Sequence, residues 1–155
     1  MSFLGTLNII GSGITAQHLR LDVISENVTN INTTRTEEGG PYRRKVVVFQ
    51  AQSGNRNAFR EALARAQNRP LVSNAGYETT GGVRVVEIAE DPSDFKLRYD
   101  PTDPDANGEG YVEMPNVDLV KEITDAMAAS QAYSADVTAF NVLKSVISAG
   151  LEIGR

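Results

Sequence analysis

Two long heptad seams, one at each end, constrain this chain more than anything else in it. Near the N-terminus, Phe3, Leu7, Ile10, Ile14, Gln17, Leu21, Ile24, Val28 and Ile31 recur at alternating steps of four and three. That spacing keeps one face of a helix turned toward a partner, with Gln17 as its only polar member. A helix through all of it would be about 45 Å long at a 1.5 Å rise per residue. Gly5, Gly11 and Gly13 weaken its first turns, at about 1 kcal/mol each relative to Ala. The C-terminal residues repeat the pattern with Leu119, Ile123, Ala126, Ser130, Tyr133, Val137, Phe140, Lys144, Ile147 and Leu151. Val120, Met127, Leu143 and Val146 widen that stripe, and no proline interrupts it. Asn116 is the expected N-cap, with Asp118 in the first turn.

Such helices need cover, because they draw most of their stability from packing. The seams can pair within one chain or with neighbouring chains. A single partner helix would leave part of the wide C-terminal stripe bare, which favours assembly. Charge points the same way. Residues 1–84 carry ten Lys/Arg against six Asp/Glu, and residues 85–155 carry five against fourteen. A basic front and an acidic back can attract copies head to tail.

Composition removes most other classes of function. The 155 residues are one domain's worth of chain. There is no cysteine, so disulfides, thiol nucleophiles and zinc–thiolate sites are excluded. His18 is the only histidine, which leaves no multi-histidine metal site and no expected catalytic residue. A net charge of −5 argues against general nucleic-acid binding. The absence of an 18-residue apolar run argues against membrane insertion. The N-terminus does not read as a secretory signal, since its first basic residue is Arg20.

Between the seams the pattern turns β-like. Residues 37–41 (EEGGP) form a loop, and Tyr42–Ala51 contains the β-branched run Lys45-Val46-Val47-Val48-Phe49. Residues 57–68 read as a short helix stopped by Pro70. A second strand spans Val83–Ala89, with Val83, Val85 and Ile88 expected inside. Residues 91–94 turn, and Phe95–Tyr99 alternates strictly, completing a hairpin with the strand before it. Residues 100–110 are a Pro-, Asp- and Gly-rich loop.

Four motifs invite a site. Gly11-Ser12-Gly13-Ile14-Thr15-Ala16 matches a dinucleotide fingerprint, but the heptad runs through it and no βαβ unit surrounds it, so helix-interface glycines are the better reading. Asp103, Asp105, Asn107 and Gly108 resemble the start of an EF-hand loop, but position 12 is Met114 rather than Glu, and a turn with Asx hydrogen bonds fits better. Arg43-Arg44-Lys45 reads as a salt-bridging edge or a subunit contact. The carboxylates of residues 87–113 form an acidic face. No cofactor, metal or catalytic residue is expected.

The two ends together resemble the axial proteins of the bacterial flagellum. The resemblance rests on Ser12-Gly13-Ile14-Thr15-Ala16-Gln17, Arg20-Leu21-Asp22-Val23-Ile24, Asn27-Val28-Thr29-Asn30-Ile31-Asn32-Thr33-Thr34 and Tyr42-Arg43-Arg44-Lys45. It continues in Pro115-Asn116-Val117-Asp118-Leu119-Val120, Ala132-Tyr133 and Lys144. Residues 99–112 (YDPTDPDANGEGYV) are similar to the proximal-rod FlgC family. The match covers residues 10–50 and 82–153.

That resemblance implies a non-enzymatic structural subunit of the basal-body rod, which crosses the periplasm and transmits torque. Its partners would be other rod subunits, copies of itself and the flagellar type III export apparatus. The expected fold is α+β, with three parts. Residues 1–34 and 115–155 are helices of a coiled-coil-like inner layer, and residues 35–114 are a small β-rich outer module with an unplaced insert at 52–80. The expected assembly interface is Leu7, Ile10, Ile14, Leu21, Ile24, Val28, Ile31, Leu119, Ile123, Tyr133, Val137, Phe140, Ile147 and Leu151. The alternative is a small acidic binding module using the 100–110 loop for Ca²⁺ or a protein partner.

Overall fold

The computed structural model describes residues 3–37, 39–53, 66 and 80–153. The fold is α+β: among the described residues, a long helix, four strands and a second long helix follow in chain order. Helix α1 spans Phe3–Thr29, strand β1 Lys45–Ser53, β2 Thr80–Glu90, β3 Lys96–Tyr99, β4 Tyr111–Met114, and helix α2 Leu119–Ile153. The short helix expected over 57–68 lies outside the described residues apart from the helical Ala66. The chain forms two compact units. One comprises Met1–Ala16, Phe49–Val85 and Tyr133–Arg155, the other Gln17–Val48 and Val86–Ala132. Both long helices run through both.

Helix α1 stops at Thr29, two residues before the last heptad position, Ile31, and five before the expected end at 34. Thr29 Oγ1 donates to the Ser25 carbonyl at 2.8 Å and Asn30 Nδ2 to the Glu26 carbonyl at 3.0 Å. Short polar side chains that bond nearby carbonyls compete with the helical ladder. The backbone then tightens, with Ile31 N donating to Val28 O rather than continuing the α-helix. Ile31 therefore sits in a turn, outside the helix. Consecutive left-handed glycines, Gly39 (φ 87°) and Gly40 (φ 84°), reverse the chain toward β1.

The strands make two two-stranded sheets, β1 with β2 and β3 with β4. The expected hairpin between the second and third strands does not form. After β2, Asp91 N donates to Arg44 O, while Arg43 and Asn116 bind the carbonyls of Asp91 and Ser93, so the chain turns away. Strand β3 instead pairs antiparallel with β4, with Leu97 opposite Glu113 and Tyr99 opposite Tyr111. Residues 100–110 are the loop of this hairpin, closed by Asp100 N donating to Gly110 O at 3.0 Å. Tyr99 and Tyr111 meet edge to face at 5.2 Å on its exposed side, and Val112 is fully buried on the other. In β2, Val83 and Val85 are half-buried but Ile88 is exposed together with Val86. Period-2 alternation puts residue 88 on the face opposite Val83 and Val85.

Helix α2 begins at Leu119, and its N-cap is Asp118 rather than Asn116. Asp118 Oδ1 accepts from Val120 N at 2.9 Å and Lys121 N at 3.4 Å. Asn116 is buried and bonds other segments instead.

Candidate functional site

The polar contacts between the two helices lie beside their apolar heptads. In the unit formed by residues 17–48 and 86–132 the helices run antiparallel, and the residues that touch are Arg20 with Asp125, at 3.7 Å, and Asn27 with Glu122, at 3.1 Å. In the other unit, a Cβ placed on Gly13 would lie 2.7 Å from Asp136 Oδ2, so glycine there permits the close approach. The buried positions on α1 are Ala16, Val23, Ile24 and Asn27, and those on α2 are Glu122 and Ala129. Apart from Ile24, which is itself a heptad residue, these intrachain seam positions lie one residue N-terminal to the apolar heptad, and most are small or polar.

A hydrogen-bonded cluster ties this seam to the start of β1. Arg44 Nε donates to Glu122 Oε1 at 2.6 Å, and the guanidinium also reaches Asp125 at 3.3 Å and Asp91 at 3.4 Å. Asn27 Nδ2 donates to Glu122 Oε2 and to the Lys45 carbonyl; its Oδ1 accepts from the Tyr42 hydroxyl and from Lys45 N, both at 2.9 Å. Asn27 thereby uses both donors and both acceptor sites. Burial, then repulsion from Glu26, Glu122 and Glu90, pushes the Tyr42 phenol up to about 12. The sequence read Arg43-Arg44-Lys45 as a salt-bridging edge or a subunit contact and did not point to Asn27, Tyr42, Asn116 and Glu122 as members of the cluster around Arg44. The available signal was Glu122, a carboxylate four residues before Ala126 and seven before Ala129.

The remaining heptad residues lie beside this seam. Leu7, Ile10, Ile14, Leu21, Val28 and Ile31 are half-buried, as are Tyr133, Val137 and Ile147, while Ile24 is buried within the chain. Leu119, Ile123, Phe140 and Leu151 are exposed. In the first turns of α2, Leu119, Val120, Ile123 and Met127 form an outward apolar stripe, 45, 74, 50 and 70% exposed. Further along, Val142 and Val146 are also exposed.

The other motifs carry no site geometry. Gly11–Ala16 lies inside α1, without the strand and loop that a dinucleotide site needs. In the 103–108 loop, Asp103 Oδ1 accepts from Asp105 N and its Oδ2 from Arg98, while Asp105 accepts from the Thr34 hydroxyl. These are Asx-type turn contacts, and the acidic-binding-module alternative gains no support. His18 is exposed and pairs with Asp22 at 3.0 Å. Among the described residues no cluster of three or more His, Cys, Asp and Glu could hold a metal ion, and no helix is long and apolar enough to cross a membrane.

Two family models match the chain: "Flagella basal body rod protein" over residues 7–35 and "Flagellar basal body rod FlgEFG protein C-terminal" over residues 109–153. Among curated proteins, the chain is similar to the flagellar basal-body rod protein FlgC of Bacillus subtilis, at 44% identity with all of both chains covered. It is 40% identical to the FlgC of Borreliella burgdorferi, covering 99% of this chain and 98% of the relative. It is 37% identical to that of Escherichia coli O157:H7 over the full length of both.

Proposed function

The chain belongs to the FlgC family of flagellar basal-body rod proteins, and from that membership we propose how it meets its neighbours. It is a structural subunit of the basal-body rod. The proposal rests on the outward stripe of Leu119, Val120, Ile123 and Met127, a contiguous apolar surface that the chain's own fold leaves in water. Neighbouring rod subunits and further copies of this chain cover it, together with the exposed parts of the heptad residues on both helices. Covering each such side chain removes a liability and contributes roughly 1–2 kcal/mol, so one stripe supplies several kcal/mol per contact.

Residues 1–34 and 115–155 then form an inner helical layer and residues 35–114 an outer one. A heterologous contact of this kind does not close on itself and propagates as a helical tube. The basic front and acidic back of the chain favour the same head-to-tail order. Torque passes along the tube because packed interiors are barely compressible. Delivery through the flagellar type III export apparatus belongs to this reading, and a chain without cysteine forms no disulfide that would hinder passage as an unfolded polypeptide.

Because the chain has no cysteine, a single one can report on cover. Met127→Cys should react quickly with a maleimide in the purified chain and be protected in isolated basal bodies, whereas Asp94→Cys, in the exposed turn before β3, should react in both. Equal reactivity of residue 127 in both states would refute the proposed surface.

A further inference from the structure

We infer that Asn27, Arg44 and Glu122 form a polar register lock, which sets the turn of α1 that faces a given turn of α2. The inference concerns the folded single chain and does not depend on how that chain meets its neighbours. Glu122 is 0% exposed, yet both its carboxylate oxygens are used, one by Arg44 and one by Asn27. The other buried positions on the two helices of this unit, Val23, Ile24 and Ala129, are apolar, and none is larger than isoleucine. Small apolar surfaces attract without direction, so they tolerate a slip of one helical turn, about 5.4 Å, at little cost. Hydrogen bonds do not, because they weaken steeply when distance or angle departs from the preferred range.

The cluster also fixes the helices to a third element. Asn27 holds both the N–H and the carbonyl of Lys45 at the start of β1, and Asn116, just before α2, accepts from the Arg44 backbone N–H at 2.7 Å. A slip of either helix would strand a buried carboxylate, a buried guanidinium and an asparagine that now has no free donor or acceptor. The wrong register is therefore penalised more than the right one is rewarded, because desolvating an ion pair cancels much of its attraction. Buried polar groups that specify alignment at little net gain in stability behave in this way in coiled coils.

Thermal melting and pulsed electron-spin distance measurement separate register from stability. Spin labels go on Ser25→Cys and Ala128→Cys, two exposed positions on facing helices of a chain with no native cysteine. Glu122→Leu alone should melt lower, since it leaves Arg44 buried and unpaired. Arg44→Met/Glu122→Leu should regain the original melting temperature, while its single narrow distance broadens or splits into populations about one helical turn apart. Retention of one narrow distance in the double variant would overturn the lock. A double variant that remains as destabilised as the single one, or does not fold, would overturn it too, by making the cluster a source of stability instead of register.

Discussion

Ile24 and Ile123 are both heptad isoleucines, but the structure gives them opposite surroundings, so the same substitution should have opposite consequences. Ile24 is 7% exposed and Ile123 is 50% exposed. Ile24→Asp loses about 2–3 kcal/mol of apolar burial, and a carboxylate without a partner there costs several kcal/mol more. A loss of roughly 5 kcal/mol is a large share of the 5–15 kcal/mol that typically holds a domain together. At about 2–4 °C per kcal/mol for a chain of this size, the melting temperature should fall by about 10–20 °C. Ile123→Asp places its charge in water, and Ile and Asp differ little in helix propensity. Its cost should stay within about 1 kcal/mol, a shift of no more than about 4 °C. In the rod the order reverses in meaning, because the aspartate at 123 would sit at every repeated contact. The expected result is a near-normal melt for Ile123→Asp with loss of rod incorporation and motility, against a collapsed melt for Ile24→Asp. Circular dichroism of purified chains and motility of the corresponding strains measure both. If Ile123→Asp were fully motile, or if its melt fell as far as that of Ile24→Asp, the assignment of the two faces would be wrong.

Three further outcomes follow from local geometry. Gly82→Ala should lower the melting temperature by several degrees, because Gly82 has φ 100° and an added Cβ would collide with the Ser12 hydroxyl that accepts from Val83 N at 3.0 Å; an unchanged melt would contradict the close packing of β2 on α1. In an ultraviolet titration Tyr42 should ionise near pH 12. Its raised value means that the associated stability is fully present below about pH 10, the ordinary phenol value, and is lost as pH rises toward 12. The carboxyl of Asp118 lies below its ordinary 3.8 because the N–H groups of Lys121 and then Val120 bind its charged form. That stability is present above about pH 4 and lost as pH falls further, so Asp118→Ala should melt lower at pH 7 and match the unsubstituted chain in strong acid.

The helices were legible in the sequence because their apolar periodicity is long and unbroken by proline, and the runs at 45–49 and 83–89 marked β1 and β2 by β-branching. Which face each helix turns inward was not legible. Hydrophobicity selected Ile24, Leu119 and Ile123 as contact residues without saying whether the contact is within or between chains; of these only Ile24 is buried, and the fold also buries Glu122, Asn27 and Ala129, one step round the helix. Periodicity counts apolar residues and has no means of scoring a carboxylate that a distant arginine will neutralise; Arg44 is 78 positions away from Glu122. The pairing of β3 was misread for a similar reason. Nearness in sequence favoured β2, but β4 is only four residues long and its first two residues, Tyr111 and Val112, follow directly on a loop-like stretch. The cap was misassigned because Asn116 and Asp118 are both good capping residues, and only the burial of Asn116 against Arg44 and Ser93 decides between them.

The one-residue offset between the apolar heptads and the intrachain seam divides each helix circumference into two surfaces with different chemistry. Where the helices meet each other, Gly13 permits close approach to Asp136 and the Glu122 cluster gives direction, while Ala16, Val23, Ile24 and Ala129 are buried on the two helices. That combination forgoes much of the hydrophobic burial available to the sequence, since replacing Ala129 or Glu122 with leucine-sized apolar residues would bury more area. The larger apolar side chains are held back on the adjacent face. A rod subunit has reason for such a division, because a chain that spent its best apolar surface on its own fold would have little left to bind neighbours. The cost is an exposed stripe that invites premature association, and the net charge of −5 opposes it in the free chain through repulsion among like-charged copies. Asp94→Lys and Glu109→Lys together, which reduce that charge to about −1, should therefore promote self-association of the purified chain at low ionic strength, read by light scattering. Unchanged scattering would show that the stripe is too weakly apolar to need that protection.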